Sequence, residues 1–110
     1  MGRDRQYLMD ILDSARLAII YVMERSQDDS LQDTQLQDAV VRRLEIIGEA
    51  ARRISQVTRD AYPDLPWASI IGMRNFLIHE YGDVGLGIVW DTVQTHLPQV
   101  VSILEKEFPR

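Results

Sequence analysis

Apolar residues recur every three to four positions along almost the whole chain, and no segment alternates apolar and polar with a period of two. That periodicity predicts helices and leaves no pattern for strands. Four stretches carry it. In the first, residues 7–25, Leu8, Ile11, Leu12, Ala15, Ala18, Ile19 and Val22 form one stripe, with Asp4 expected as N-cap. The second starts at Thr34, where Gln37 three residues on resembles a capping box. It would bury Leu36, Val40, Leu44, Ile47, Ala51 and Ile54. The third, from Pro66 to about Glu80, carries Trp67, Ile70, Ile71, Leu77 and Ile78, with Gly82 as the expected C-cap. The fourth runs through Leu86, Val89, Trp90, Val93, Leu97, Val100, Val101 and Leu104. Its stripe continues across Pro98, which predicts one helix kinked there. Residues 105–110 are expected to fray. The predicted fold is all-α, an antiparallel bundle of four main helices.

The segments between these helices read as loops. Residues 26–33 are polar and acidic. Asp28, Asp29 and Asp33, with nearby Asp38, raise a metal site, but the spacing matches no calcium loop and lacks its central glycine. A solvated loop is the preferred reading. Residues 57–66 break the helical pattern, because Pro63 and Pro66 each disfavour helix in the residue before them. Pro66 suits the start of the third helix. Gly82, Gly85 and Gly87 predict a loose connection to the fourth.

At 110 residues the chain reads as one domain, 1–110, large enough for one core. It has no cysteine, which excludes disulfides and thiolate metal sites. No apolar run approaches the roughly 18–20 residues of a membrane span. The polar start, leading directly into a helical pattern, argues against a signal peptide, so the expected compartment is the cytosol. The net charge of −5 argues against nucleic-acid binding by the whole surface, although a local basic cleft is compatible with it.

The chemistry-bearing residues gather in the third helix as Arg74, Asn75, His79 and Tyr81. Histidine is suited to proton transfer near neutral pH. The arginine fork matches two phosphate oxygens, and asparagine can orient a hydroxyl or an imidazole. With no ligand cluster beside it, this set fits metal-independent phosphodiester chemistry. No cofactor or metal is predicted. Asn75 and His79 are four apart and share a helix face. Arg74 and His79 are about 140° apart around one axis, so a single straight helix does not aim both at one small target. A second copy across a dimer interface would bring them together. The second helix carries a charged face of Asp38, Arg42, Glu45, Glu49, Arg53 and Gln56. That face is either solvated or turned to a partner helix through Glu45, Gly48 and Glu49, with Gly48 allowing close approach. Both Trp67 and Trp90 lie on core stripes. His96 has no assigned role.

These features together resemble the HepT-like family of HEPN-domain ribonucleases, the toxin half of toxin–antitoxin pairs. The resemblance rests on Pro66-Trp67, Ile70, Gly72-Met73-Arg74-Asn75, His79, Tyr81, Val89-Trp90 and Leu97-Pro98, together with the run from Leu44 to Ala51. The family motif maps onto Arg74, Asn75, His79 and Tyr81 without a gap. The glycine-rich stretch after Tyr81 departs from the family pattern. The resemblance implies an all-α HEPN-like homodimer whose two motifs face one cleft, and metal-independent cleavage of RNA. It also implies a type VII-like pairing with a minimal nucleotidyltransferase antitoxin that can attach AMP to Tyr81. Glu45 and Glu49 are possible supporting residues. The alternative is a non-catalytic nucleotide- or partner-binding helical module that regulates an adjacent nucleotidyltransferase.

Overall fold

The computed structural model describes residues 2–79 and 83–108, the side chains of residues 78, 79, 83 and 84 excepted. All its regular elements are helical. They are α1 (Asp4–Val22), α2 (Gln27–Gln32), α3 (Thr34–Arg53), α4 (Gln56–Ala61), α5 (Trp67–His79), α6 (Asp83–Asp91), a π-helical turn (Thr92–His96) and α7 (Leu97–Glu105). The long helices α1 and α3 pack against each other, α7 packs on α1, and α5 lies chiefly on α3. Ile11, Leu12, Val93, Val100 and Leu104 form the fully buried centre. Each such side chain stabilises the fold by about 1.5–3 kcal/mol relative to exposure. The predicted stripes of α1 and α3 supply most of the remaining core, from Leu8 to Val22 and from Leu36 to Ile54.

The structure corrects several local expectations. Residues 26–33 are not a loop: Ser26 and Asp29 form a reciprocal capping box that starts α2. Asp29 and Asp33 also face Arg25, at 3.8 and 3.0 Å, so two of the acidic residues weighed for metal are occupied by caps and an ion pair. Asp33, not Thr34, caps α3, accepting the Leu36 N–H. Gln37 reaches back to the Ser30 and Leu31 carbonyls. Part of the expected break after α3 is the short helix α4, capped by Ser55. Gly85 and Gly87 lie inside α6 and not in a loose connection. The C-cap assigned to Gly82 lies outside the described residues. The expected kink at Pro98 takes the form of the π turn. Leu97 N–H donates to the Thr92 carbonyl, five residues back, and Pro98, which has no N–H to give, sits in the first turn of α7. At the C-terminal end Phe108 is buried rather than frayed, with the Arg5 guanidinium 4.6 Å from its ring centre.

Asp4 is the clearest case of a local signal overridden by tertiary structure. Arg3 takes the N-cap position, and Asp4 is buried inside the first turn of α1. Its carboxylate accepts from the Ser55 hydroxyl at 2.5 Å, the Thr58 hydroxyl at 2.6 Å and the Ser55 N–H at 3.3 Å. It therefore ties α1 to the start of α4. The Ser55 hydroxyl first, then Thr58, lower its pKa from the ordinary 3.8 to about 2. A depressed carboxylate pKa contributes stability above the unfolded value, and that contribution is lost as pH falls through the folded value. Melting curves from pH 5 down to 2 should show wild type losing stability in the window between about 4 and about 2. Asp4→Asn should be less stable at pH 5 and lose less over that window. Parallel pH curves for the two proteins would contradict this role.

Candidate functional site

Gly48 allows the site to form. A Cβ at that position would overlap the Cβ of Arg74 and lie 3.2 Å from the Ile70 carbonyl oxygen. Without a side chain there, α5 settles directly onto α3 and sets Arg74 above the next residue, Glu49. The Arg74 Nε lies 2.9 Å from Glu49 Oε2, and Arg74 Nη1 donates to Asn75 Oδ1 at 3.1 Å. Arg52 and Arg53 reach the other oxygen, Glu49 Oε1, at 3.2 and 3.0 Å. The Arg52 hydrogen bond, then the charges of Arg74, Arg52 and Arg53, hold the Glu49 carboxyl below the usual carboxylate range.

Arg74 opens onto a cleft of about 320 Å³ between α1, α3 and α5. Three arginines, Arg42, Arg53 and Arg74, line it with three carboxylates, Asp10, Glu45 and Glu49, and Tyr7 contributes an aromatic wall. Glu45 lies 3.7 Å from Arg42. The predicted charged face of α3 is thus turned partly into a cleft, and Glu45 and Glu49 come together there with Arg74. Tyr7 and Asp10, three apart on α1, were not singled out by sequence reasoning. Their spacing marks a shared face, but nothing local says that this face meets α3's arginines.

His79 is the last residue of α5, and its side chain lies outside the described residues, as does all of Tyr81. The structure therefore places Arg74, Asn75, Glu45 and Glu49. Trp67, read as core, is part-buried and donates its indole N–H to the Tyr62 carbonyl at 3.0 Å. His96 is exposed, 3.8 Å from Asp91, and borders a second, apolar cavity of about 290 Å³ with Ile70, Met73 and Ile88. Among the described residues no group of histidine and carboxylate side chains is arranged to hold a metal ion, and no helix is long and apolar enough to cross a membrane.

The model of the ribonuclease HepT-like family matches residues 11–107. The chain belongs to that family. The match spans every site residue named above except Tyr7 and Asp10. Among HepT-like relatives, a "Putative RNase" of Caldanaerobacter subterraneus subsp. tengcongensis is 40% identical over 97% of this chain and 99% of its own. The "Probable ribonuclease HepT" of Thermococcus cleftensis is 36% identical over 93% of both chains. A "Gamma-glutamylcyclotransferase and putative RNase" of Methanocaldococcus jannaschii is 38% identical over 91% of this chain but 47% of its own, so the chain spans about half of that relative. No solved structure matches significantly. The HepT-like assignment agrees with the all-helical, HEPN-like bundle.

Proposed function

We propose that this chain is a metal-independent endoribonuclease, the toxin of a type VII-like HEPN toxin–antitoxin pair. The observation that carries the reading is Arg74, fixed on the wall of a charged cleft five residues before His79 in a HepT-like chain. In the proposed reaction the ribose 2′-oxygen attacks the adjacent phosphorus and the bond to the 5′-oxygen breaks. A 2′,3′-cyclic phosphate and a 5′-hydroxyl result. His79 takes the proton from the 2′-hydroxyl or gives one to the leaving 5′-oxygen, Arg74 stabilises the phosphorane charge, and Asn75 orients. Such proton transfer contributes roughly 10²–10⁴ in rate. The direct test is cleavage of RNA in EDTA. Loss of cleavage in EDTA, or equal cutting of a strand with 2′-deoxyribose at the scissile nucleotide, would refute the mechanism.

The reading includes a homodimer. Ala68, Gly72 and Asn75 on the outer side of α5 are exposed, and there is open space where a Gly72 side chain would be. Beside them Ile71 and Phe76 are only partly buried. A second copy of α5 on this face would cover apolar surface and bring one protomer's Arg74 toward its partner's His79. Sedimentation at micromolar concentration should give a dimer, and a monomer that still cleaves RNA would remove the composite cleft.

Neutralisation is assigned to a minimal nucleotidyltransferase that transfers AMP to the Tyr81 hydroxyl. Each AMP adds bulk and a negative charge close to Arg74 in sequence, which would compete with the RNA backbone for that cation. Co-expression with such an enzyme should raise the mass of this chain by whole AMP units mapped to Tyr81. An unmodified Tyr81 in a neutralised complex would mean inhibition by binding alone.

A further inference from the structure

We propose that Glu49 is the positioning residue of this site, aiming the Arg74 guanidinium so that its outer edge meets the phosphate to be cleaved; this rests on the ribonuclease reading above. Two contacts grip the guanidinium. Glu49 Oε2 forms an ion pair with the guanidinium, 2.9 Å from Nε, and Asn75 Oδ1 accepts an Nη1–H at 3.1 Å. They hold the planar group at two of its three nitrogens and set its rotation. Neither contact uses Nη2, so the end of the fork, Nη1 with Nη2, is the edge that can match two phosphate oxygens. An arginine without this grip would have to give up its rotational freedom in the course of reaction.

Glu49 is itself held. Its other oxygen, Oε1, is fixed by Arg52 and Arg53, from the same helix, while Oε2 is left for Arg74. One carboxylate thus faces three guanidinium groups, so positive charge is in local excess around Glu49, although the cleft as a whole sets three arginines against three carboxylates. Gly48 sets the distance, because it alone lets Arg74 approach the helix that carries Glu49. Glu45, one turn earlier, is engaged by Arg42 instead.

The test compares RNA cleavage by Glu49→Ala, Glu49→Gln and Arg52→Ala with wild type. Loss of aim lowers kcat by about 10–100-fold in Glu49→Ala with little change in KM. Glu49→Gln, which keeps the side chain's length and a polar oxygen beside Nε without the charge, recovers part of the loss. Arg52→Ala, which removes one of the two cations that hold Oε1 and leaves Arg53 in place, lowers kcat less than Glu49→Ala does. A Glu49→Ala variant with wild-type kcat, or a Gln variant no better than Ala, overturns the proposal. The Arg74 side-chain Nε–H nuclear magnetic resonance signal gives a readout apart from activity. It should be a single, slowly exchanging signal in wild type, retained in Gln and lost in Ala. If wild type cuts no RNA, the ribonuclease reading fails, and this signal alone decides the positioning of Arg74: persistence in Glu49→Ala overturns it.

Discussion

Arg74→Ala and His79→Ala are each expected to reduce RNA cleavage by about 10²- to 10⁴-fold and to relieve growth inhibition when the chain is expressed alone. For Arg74 the expected change in stability is small. The alanine keeps the Cβ that packs over Gly48, and what is lost is a partly exposed ion pair, with 24% of the Arg74 side chain and 33% of Glu49 accessible. Pairs of that exposure contribute about 0–1 kcal/mol. Melting temperature and cleavage should therefore separate: nearly unchanged melting, nearly absent cleavage. Asn75→Ala should have a smaller effect, because it removes one of two contacts that hold the guanidinium. Retention of full cleavage by Arg74→Ala would remove the phosphate role from this arginine and with it the proposed site.

Gly48→Ala is expected to damage stability and activity together. Alanine normally favours a helix interior over glycine by about 1 kcal/mol, so the same change at an open position would stabilise. Here the added methyl meets the Arg74 Cβ and the Ile70 carbonyl, both attached to the α5 backbone, so no side-chain rotation relieves the overlap. Overpacking of this kind costs about 1–3 kcal/mol. The helix that must move lies chiefly on α3, and it carries Arg74. Thermal unfolding should fall by several degrees, and cleavage should fall further than Arg52→Ala reduces it. Gly87→Ala in α6 is the control, since an added methyl there would have Gln27 Nε2 as its nearest neighbour, at 4.0 Å. A Gly48→Ala protein that melts at or above wild type would show that α5 can lie elsewhere at no cost. In that case Gly48 would not set the site.

Helical periodicity alone determined which faces of α1, α3 and the C-terminal helices are buried, whereas of the stripe expected in α5 only Leu77 is buried among the described side chains. The stripes of α1 and α3 and the run from Val89 to Leu104 are the core that forms, because a 3.6-residue repeat leaves an apolar side chain no other place to go. The motif residues of α5 were also legible, since their chemical types and spacing are local properties. Short helices and caps were not. Ser26 with Asp29 is a cap signal hidden in a segment whose composition reads as loop, and Ser55 with Thr58 is one that straddles the end of the second predicted helix. Asp4 looked like a cap because the partner that claims it, Ser55, is fifty-one residues away. The same limit applied to the site. Sequence could assign Glu49 to a charged face but could not distinguish a carboxylate in solvent from one gripping Arg74. That choice depends on how closely α5 approaches α3, which the packing around Gly48 decides.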